Sequence, residues 1–134
     1  MKVAIVRVET EEQKAVCLEL LESDPDLGHL DTDGMIVWAA LSDDGDLLGT
    51  AGMAFDEDCR HAELTFCVIS TTARGRGLQK RLIRARVAWA RKLGAVSLET
   101  YASLDNRASL ISLLKCGFVP KEMDDSFLTV QYPF

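Results

Sequence analysis

The sequence predicts an α/β fold of the α+β kind, in a single domain that spans residues 1–134. Short apolar runs of strand length alternate along the chain with three stretches that have helical periodicity. A chain of 134 residues is long enough for one hydrophobic core and too short for two ordinary domains. The composition, 48% hydrophobic and 27% charged, is typical of a soluble globular protein.

The first half of the chain is predicted to contain three strands and one helix. Thr10 before a carboxylate-rich turn is typical of a helix start, and the turn residues at 42–46 are typical of a hairpin. The predicted elements, in order, are a strand over 2–8, a helix from Thr10 to about Leu21, an acidic loop over 23–33, and strands over 35–41 and 47–55.

The second half is predicted to alternate strands with two helices. One apolar helix face is formed by Leu78, Leu82, Ala85, Trp89 and Leu93. The predicted elements, in order, are a strand over 62–69, a basic helix that Gly94 ends, a strand over 96–101, a helix over 106–116, and a closing hairpin over 118–120 and 127–132.

The segment from Ile69 to Gln79 is the most informative part of the sequence. It reads Ile-Ser-Thr-Thr-Ala-Arg-Gly-Arg-Gly-Leu-Gln and joins a strand to the basic helix. A strand that turns through glycines into a helix directs backbone N–H groups and the positive end of the helix dipole at one point, which suits a phosphate. No Gly-x-x-x-x-Gly-Lys-Ser/Thr run is present, and Lys80 stands where a dinucleotide fingerprint needs its third glycine.

Three segments, which follow one another along the chain in the family's order, resemble the GNAT superfamily of N-acetyltransferases. Arg74-x-x-Gly77-x-Gln79 resembles the family's pyrophosphate loop, Gln/Arg-x-x-Gly-x-Gly/Ala, and departs from it at Gln79. The strand Ala-Glu-Leu-Thr-Phe-Cys-Val-Ile-Ser over 62–70 is similar to Ala-Glu-Ile-Val-Phe-Cys-Ala-Ile-Ser in the family's histone-acetylating branch. Asn106 followed by Gly117-Phe118 resembles the family's Asn-to-Gly-Phe helix. The resemblance covers residues 62 to about 132.

The resemblance implies the GNAT fold, a mixed and centrally splayed sheet with helices on both faces. The family usually has two helices between its first two strands, whereas this chain has room only for a very short second helix or none. The resemblance also implies acetyl-CoA as co-substrate. The expected contacts with it are Cys67, Val68, Ile69, Arg74, Gly75, Arg76, Gly77, Leu78, Gln79, Lys80 and Asn106. For Asn106, a plain helix N-cap is the alternative.

Acetyl transfer to an amine needs a base, because an alkylamine with a reference pKa near 10.4 is protonated at neutral pH. Glu63 matches the base-bearing position of the histone-acetylating branch, and a solvated carboxylate at a strand entrance is the alternative. Many family members place a tyrosine, the acid for the leaving thiolate, where this sequence has Leu113. Either the thiolate leaves unprotonated or another group serves as the acid, and Ser112 and Tyr101 are weak candidates for that role.

Charge is distributed unevenly along the chain. The formal net charge is −6, yet residues 74–92 hold eight of the 15 basic residues and no acid. The basic residues nearest the loop are expected to reach the phosphates, whereas Arg86, Arg91 and Lys92 are expected to solvate the outer face of the helix. Acidic residues within 24–33 and 122–125 are expected either to attract a cationic acceptor or to be ordinary solvated turns.

Several other site classes are disfavoured by the sequence. An acidic chain with few aromatic residues and no recognition motif argues against nucleic acid. Two isolated histidines argue against a metal site, and no apolar run or N-terminal leader predicts a membrane span or secretion. Four cysteines without CxxC spacing predict reduced thiols in a cytoplasmic protein. The oligomeric state, monomer or homodimer, is left open.

Three functions remain compatible with the sequence. The first is acetyl transfer by direct attack in a ternary complex, with a small amine, a protein lysine or a protein N-terminus as acceptor. The second is an acyl-CoA-binding module or sensor with little turnover, which Leu113 and Gln79 favour. The third is a structural subunit whose loop is only a turn. The presence of Glu63, Arg74 and Gly77 together favours the first.

Overall fold

The computed structural model describes residues 2–27 and 30–134 of the chain. Its strands are β1 (Val3–Arg7), β2 (Ile36–Ser42), β3 (Leu47–Asp56), β4 (His61–Ile69), β5 (Ser97–Ser103), β6 (Val119–Met123) and β7 (Phe127–Gln131). Its helices are α1 (Glu11–Glu22), α2 (Leu78–Lys92) and α3 (Arg107–Lys115), and a 3-10 turn covers Thr71–Ala73. The predicted order of strands and helices is confirmed.

The seven strands form one mixed sheet in the order β1-β2-β3-β4-β5-β7-β6. The pair β4–β5 is parallel, and the other neighbouring strands are antiparallel. Helix α1 packs on one face through Cys17 and Leu21. Helices α2 and α3 pack on the other face through residues that include Leu82 and Leu113. A mixed sheet with helices on both faces is therefore confirmed.

The predicted helix ends follow from single residues. The Thr10 hydroxyl accepts a hydrogen bond from the Gln13 backbone N–H (3.1 Å) and caps α1. Gly77 begins α2 at φ 73°, and Gly94 follows that helix at φ 82°, both in the left-handed region that favours glycine. None of the helices in the described residues is long and apolar enough to cross a membrane.

The connection from α1 to β2 is short. Its described residues, 23–27 and 30–35, form turns and extended chain rather than a second helix, as expected. Gly28 and His29, which belong to the predicted acidic loop over 23–33, lie outside the described residues.

The prediction for the buried face of α2 was partly wrong. The most buried positions are Leu78, Leu82, Ile83, Arg86, Val87 and Ala90. Trp89 is only half-buried, with the Arg7 guanidinium 3.6 Å from its ring centroid. Arg86, predicted to be solvated, is 2% exposed. It falls on the stripe of residues spaced three and four apart that includes Leu82, Ile83 and Ala90.

Candidate active site between two diverging strands

Strands β4 and β5 are paired at one end and apart at the other. Their parallel register runs only from His61–Ser97 to Glu63–Glu99. Beyond it, the Thr100 hydroxyl donates a hydrogen bond to the Leu64 carbonyl (2.9 Å), a link made by a side chain. The remaining residues of β4 pair with β3 alone among the described strands. The predicted splay of the sheet is confirmed at this point.

A β-bulge interrupts β4 where the strands separate. Gly52 of β3 pairs with Phe66, while the next residue, Met53, pairs with Leu64, so Thr65 is an additional residue. The bulge exchanges the faces of the sheet toward which alternate side chains of β4 point. Leu64, before the bulge, packs on the α2 face, and Phe66, after it, packs on the α1 face. A Cβ at position 52 would lie 2.3 Å from Cε1 of Phe66. Glycine is therefore required opposite the bulge.

The Arg86 guanidinium fills this bulge. Its Nη1 donates to the carbonyl oxygens of Gly52 (3.0 Å) and Phe66 (3.2 Å), and its Nε donates to the Leu82 carbonyl (3.1 Å). Burial lowers the pKa of Arg86, yet a guanidinium remains charged at neutral pH. A buried cation thus binds backbone carbonyls at the divergence point.

The gap between β4 and β5 is a cavity of about 560 Å³. Its lining includes the loop after α1, the diverging strands, and the helices α2 and α3. The lining residues are Asp24, Asp26, Leu27, Leu64, Thr65, Phe66, Cys67, Gln79, Ile83, Arg86, Thr100, Tyr101, Ala102, Ser103, Asn106, Ser109, Leu113 and Phe127. Because segments from both faces of the sheet contribute, two molecules can approach the gap from opposite sides.

The predicted phosphate loop joins the open end of β4 to α2. Gly75 and Gly77 have φ values of 80° and 73°, and a Cβ at either position would have no atom within 4 Å. Within the described part of the chain, no side chain forms a capping hydrogen bond at the N-terminus of α2, and the first turn of this helix holds no acid. The Arg74 Nε donates to the Ile69 carbonyl (3.3 Å), and Arg76 is exposed between the two glycines. The backbone N–H groups of this turn suit an anion.

The predicted cofactor contacts fall into three groups. Cys67, Gln79 and Asn106 line the cavity. Val68 and Leu78 direct their side chains into the core, so only their backbone atoms are available to a ligand. The remaining members form the strand end and the loop: Ile69, Arg74, Gly75, Arg76, Gly77 and Lys80.

Gln79, the departure from the family loop, connects two helices. Its Nε2 donates to the Ser109 hydroxyl (3.1 Å), and both residues line the cavity. The Asn106 side chain accepts a hydrogen bond from the Ser109 backbone N–H (3.2 Å) as an N-cap, and Asn106 also lines the cavity, where its contact with the cofactor stays a prediction. Gln79 thereby ties the loop to the start of α3.

Glu63 lies at the last position of β4 that pairs with β5. Its neighbours Ala62 and Leu64 pack toward α2, so the Glu63 side chain is on the α1 face of the sheet. In β5 it is opposite Glu99, whose carboxylate forms an ion pair with Lys121. Glu63 is half-buried and is not among the residues that line the cavity.

Position 113, where the family's acid usually stands, and the two candidates for a general acid, Tyr101 and Ser112, differ in their relation to the cavity. Leu113 is 5% exposed and lines the cavity with an apolar side chain. Tyr101 lines the cavity on the rim, 58% exposed, with its ring edge-on to Phe127 (centroids 5.5 Å apart). Ser112 is not a lining residue. Burial raises the pKa of the Cys67 and Cys116 thiols, so neither is activated as a nucleophile.

Sequence reasoning missed Thr100, Arg86, Ser109 and Glu99. Arg86 could have been found from its place on the apolar stripe of α2, since a charged residue there must be buried or displace its neighbours. The other three carried no signal, because a polar residue in a strand or a helix start is common and its partner is distant in sequence. No group of three potential metal ligands occurs within the described part of the chain.

Comparison with known proteins adds a family match and structural neighbours. The sequence model of the Acetyltransferase (GNAT) family matches residues 5–118. The structure of an IAA acetyltransferase from Bacillus cereus ATCC 14579 is similar, with a TM-score of 0.79 and 17% identity over 98% of this chain and 99% of that chain. No curated protein matches the chain significantly.

Two further neighbours contain CoA. The Bacillus subtilis acetyltransferase in complex with CoA has a TM-score of 0.78 and 17% identity over 99% of both chains. A chain of the NatC complex bound to Gag peptide and CoA has a TM-score of 0.80 and 15% identity over 100% of this chain and 99% of that chain. At these identities the neighbours establish the fold.

Proposed function

Because the chain belongs to the GNAT acetyltransferase family, we propose that it transfers an acetyl group from acetyl-CoA to a primary amine by direct attack in a ternary complex. The gap between β4 and β5, which leads to the uncapped start of α2, carries the proposal. It is bordered by segments on both faces of the sheet, as a reaction between two bound substrates requires.

Acetyl-CoA fits the chemistry of this gap. The pyrophosphate would bind the backbone N–H groups between Gly75 and Lys80, where the space beside each glycine is empty. The extended part of the cofactor would lie along the open half of β4, which we define as residues 65–69, beyond the pairing with β5. There it would be near Cys67 and against Gln79 and Asn106. When bound, acetyl-CoA supplies a thioester that an amine can attack. The CoA-bound neighbour from Bacillus subtilis supports this assignment.

Glu63 is the proposed base. Removing a proton from an alkylammonium at neutral pH costs roughly 4–5 kcal/mol. A carboxylate at the last position of β4 that pairs with β5, on the α1 face, is suited to accept that proton directly or through a water. Backbone N–H groups of β4 near Cys67 and Val68 are the proposed donors to the oxyanion. With Leu113 in place of a hydroxyl, the thiolate leaves unprotonated or takes its proton from the rim, where Tyr101 lies.

The acceptor is proposed to be cationic before it reacts. Asp24 and Asp26 line the cavity on the side of the loop after α1. Carboxylates there would attract an ammonium group of a small amine, a lysine or a protein N-terminus. The KM for the best acceptor should rise between low and physiological ionic strength, and a KM insensitive to salt would rule out this attraction.

An acyl-CoA-binding module with little turnover is the second candidate, and the buried Leu113 favours it. One experiment separates the two: CoA binding is measured by calorimetry, and thiol release from acetyl-CoA is measured with a panel of amines, peptides and aminoglycosides. Binding with amine-dependent thiol release supports the transferase. Binding without release for every acceptor class supports the module, and absence of binding leaves only a structural role.

A further inference from the structure

Arg86 differs from the other basic residues of α2. It is 2% exposed, whereas Arg84 and Arg91 on the same helix are exposed. Among the described residues, no carboxylate forms an ion pair with it. Burying an unpaired cation is unfavourable unless other groups replace its water, and here three carbonyl oxygens do so.

Two of those carbonyls belong to the β-bulge. Gly52 of β3 and Phe66 of β4 are paired directly beside the irregular step, and the same Nη1 donates to both of their carbonyl oxygens. The Thr100 hydroxyl of β5 likewise donates a hydrogen bond to the Leu64 carbonyl, which lies just before the bulge in β4. Side chains thus bind two carbonyls of β4 at the place where β5 leaves it.

We propose that Arg86 is a positioning residue that holds the β4 bulge and thereby orients the backbone of the residues that follow it, 67–69, of which Cys67 lines the cavity. An apolar side chain would fill the space on α2 but would leave the Gly52 and Phe66 carbonyls without this donor. A lysine has the charge but lacks the planar fork that reaches two carbonyls and the Leu82 oxygen together. The catalytic part of this inference rests on the proposed acetyl transfer, whereas the effect on β4 does not.

The test compares Arg86→Met, Arg86→Lys and the control Arg84→Met, which alters an exposed arginine on the same helix. Thermal unfolding identifies the variants that fold. Arg86→Met should lower kcat for acetyl transfer about 10²-fold, since small misplacements of binding groups have effects of this size, while CoA affinity changes less than about threefold. Arg86→Lys should be intermediate, and Arg84→Met should resemble the wild type.

Two further readouts separate positioning from general stability. Backbone hydrogen exchange at residues 64–69 should accelerate at least about tenfold in Arg86→Met, with the hairpin at 42–46 unchanged. In Arg86→Ala, added methylguanidinium should restore part of kcat without changing the wild type.

Unchanged exchange at 64–69 in a folded Arg86→Met variant would overturn the inference, whether or not the enzyme is active. Equal losses of stability, CoA affinity and kcat without rescue by methylguanidinium would overturn it too, because they indicate a structural role alone. If the wild type transfers acetyl to no amine while exchange still accelerates in Arg86→Met, the proposed function fails and the effect of Arg86 on β4 stands.

Discussion

The two halves of β4 differ although they belong to one strand. Residues 61–63 are paired on both sides, with β3 and with β5, and Ala62 at their centre packs toward α2. Residues 66–69 are paired with β3, residues 65–67 border the cavity, and the bulge directs Phe66 and Val68 toward α1 instead. The first half stabilises the sheet, and the second half leaves a strand edge available to a ligand. Three structural features lie at the border between the two halves of β4: the bulge at Thr65, the Thr100 hydroxyl and the Arg86 guanidinium.

The largest expected effect comes from Glu63, at the border of the two halves. Glu63→Gln should lower kcat/KM for acetyl transfer about 10²–10⁴-fold at neutral pH and leave acetyl-CoA affinity unchanged, because the amide cannot accept the amine proton. The loss should shrink as the pH rises toward the pKa of the amine, since free amine then forms without the base. Rates measured against pH for Glu63→Gln and for Glu57→Gln, an exposed control, check this. Near-wild-type turnover at neutral pH would make Glu63 a solvated carboxylate only.

The next effect tests the bulge itself. Gly52→Ala would place a Cβ 2.3 Å from the Phe66 ring and 2.8 Å from the Thr65 hydroxyl, so the bulge must shift. Overpacking of this kind destabilises by about 1–3 kcal/mol, which urea unfolding measures. In Gly49→Ala the nearest contact is the end of the Ile69 side chain (2.8 Å), which can turn away, so its loss should be smaller. Equal losses for the two variants would contradict a special role for Gly52.

The loop that follows the open half gives a smaller effect. Gly77→Val should weaken CoA binding at least tenfold, about 1.4 kcal/mol, because a side chain blocks the approach of the pyrophosphate to the backbone. Gly45 is a matched control, because it also has a positive φ (83°) and no atom within 4 Å of a Cβ. Gly45→Val should show the same backbone strain with normal affinity in calorimetry. A well-folded Gly77→Val variant with normal affinity would remove the loop from the site.

The smallest effect concerns the last link between β4 and β5. Thr100→Val removes the hydrogen bond to Leu64 and should cost about 1 kcal/mol of stability. Thr50 is its counterpart in a fully paired region, since its hydroxyl donates to the Trp38 carbonyl at the same 2.9 Å. Both variants should lose similar stability in urea unfolding, whereas only Thr100→Val should raise the KM for acetyl-CoA. A raised KM in both would mean that the effect comes from stability alone.

Much of the fold was predictable because single residues determine local structure. Thr10, Gly77 and Gly94 define helix ends by capping and by positive φ, which the sequence displays directly. The loop was predictable for the same reason. The position of β7 between β5 and β6 was not, because pairing between distant strands depends on packing.

The place where β4 and β5 separate could not be recognised from the pattern of apolar residues in β4. Buried and half-buried residues alternate without interruption along β4, although the strand reverses its faces at Thr65. Because helices cover both faces of the sheet, a change of face leaves the alternation intact. Arg86 was wrongly predicted to be solvated because basic residues surround it in the sequence. Its burial depends instead on the carbonyl oxygens of Gly52 and Phe66, which are distant in the sequence. The roles of Glu63 and of the cofactor contacts stay predictions.

The central claim is that CoA binds along the open half of β4 and the start of α2. Backbone amide chemical shifts, followed by NMR during titration with CoA, test it most directly. We expect large shifts for residues 65–69, 75–80 and 106, and none for the hairpin at 42–46 or for residues 61–63. Saturable binding with shifts elsewhere, or with none at 65–69 and 75–80, would contradict this claim.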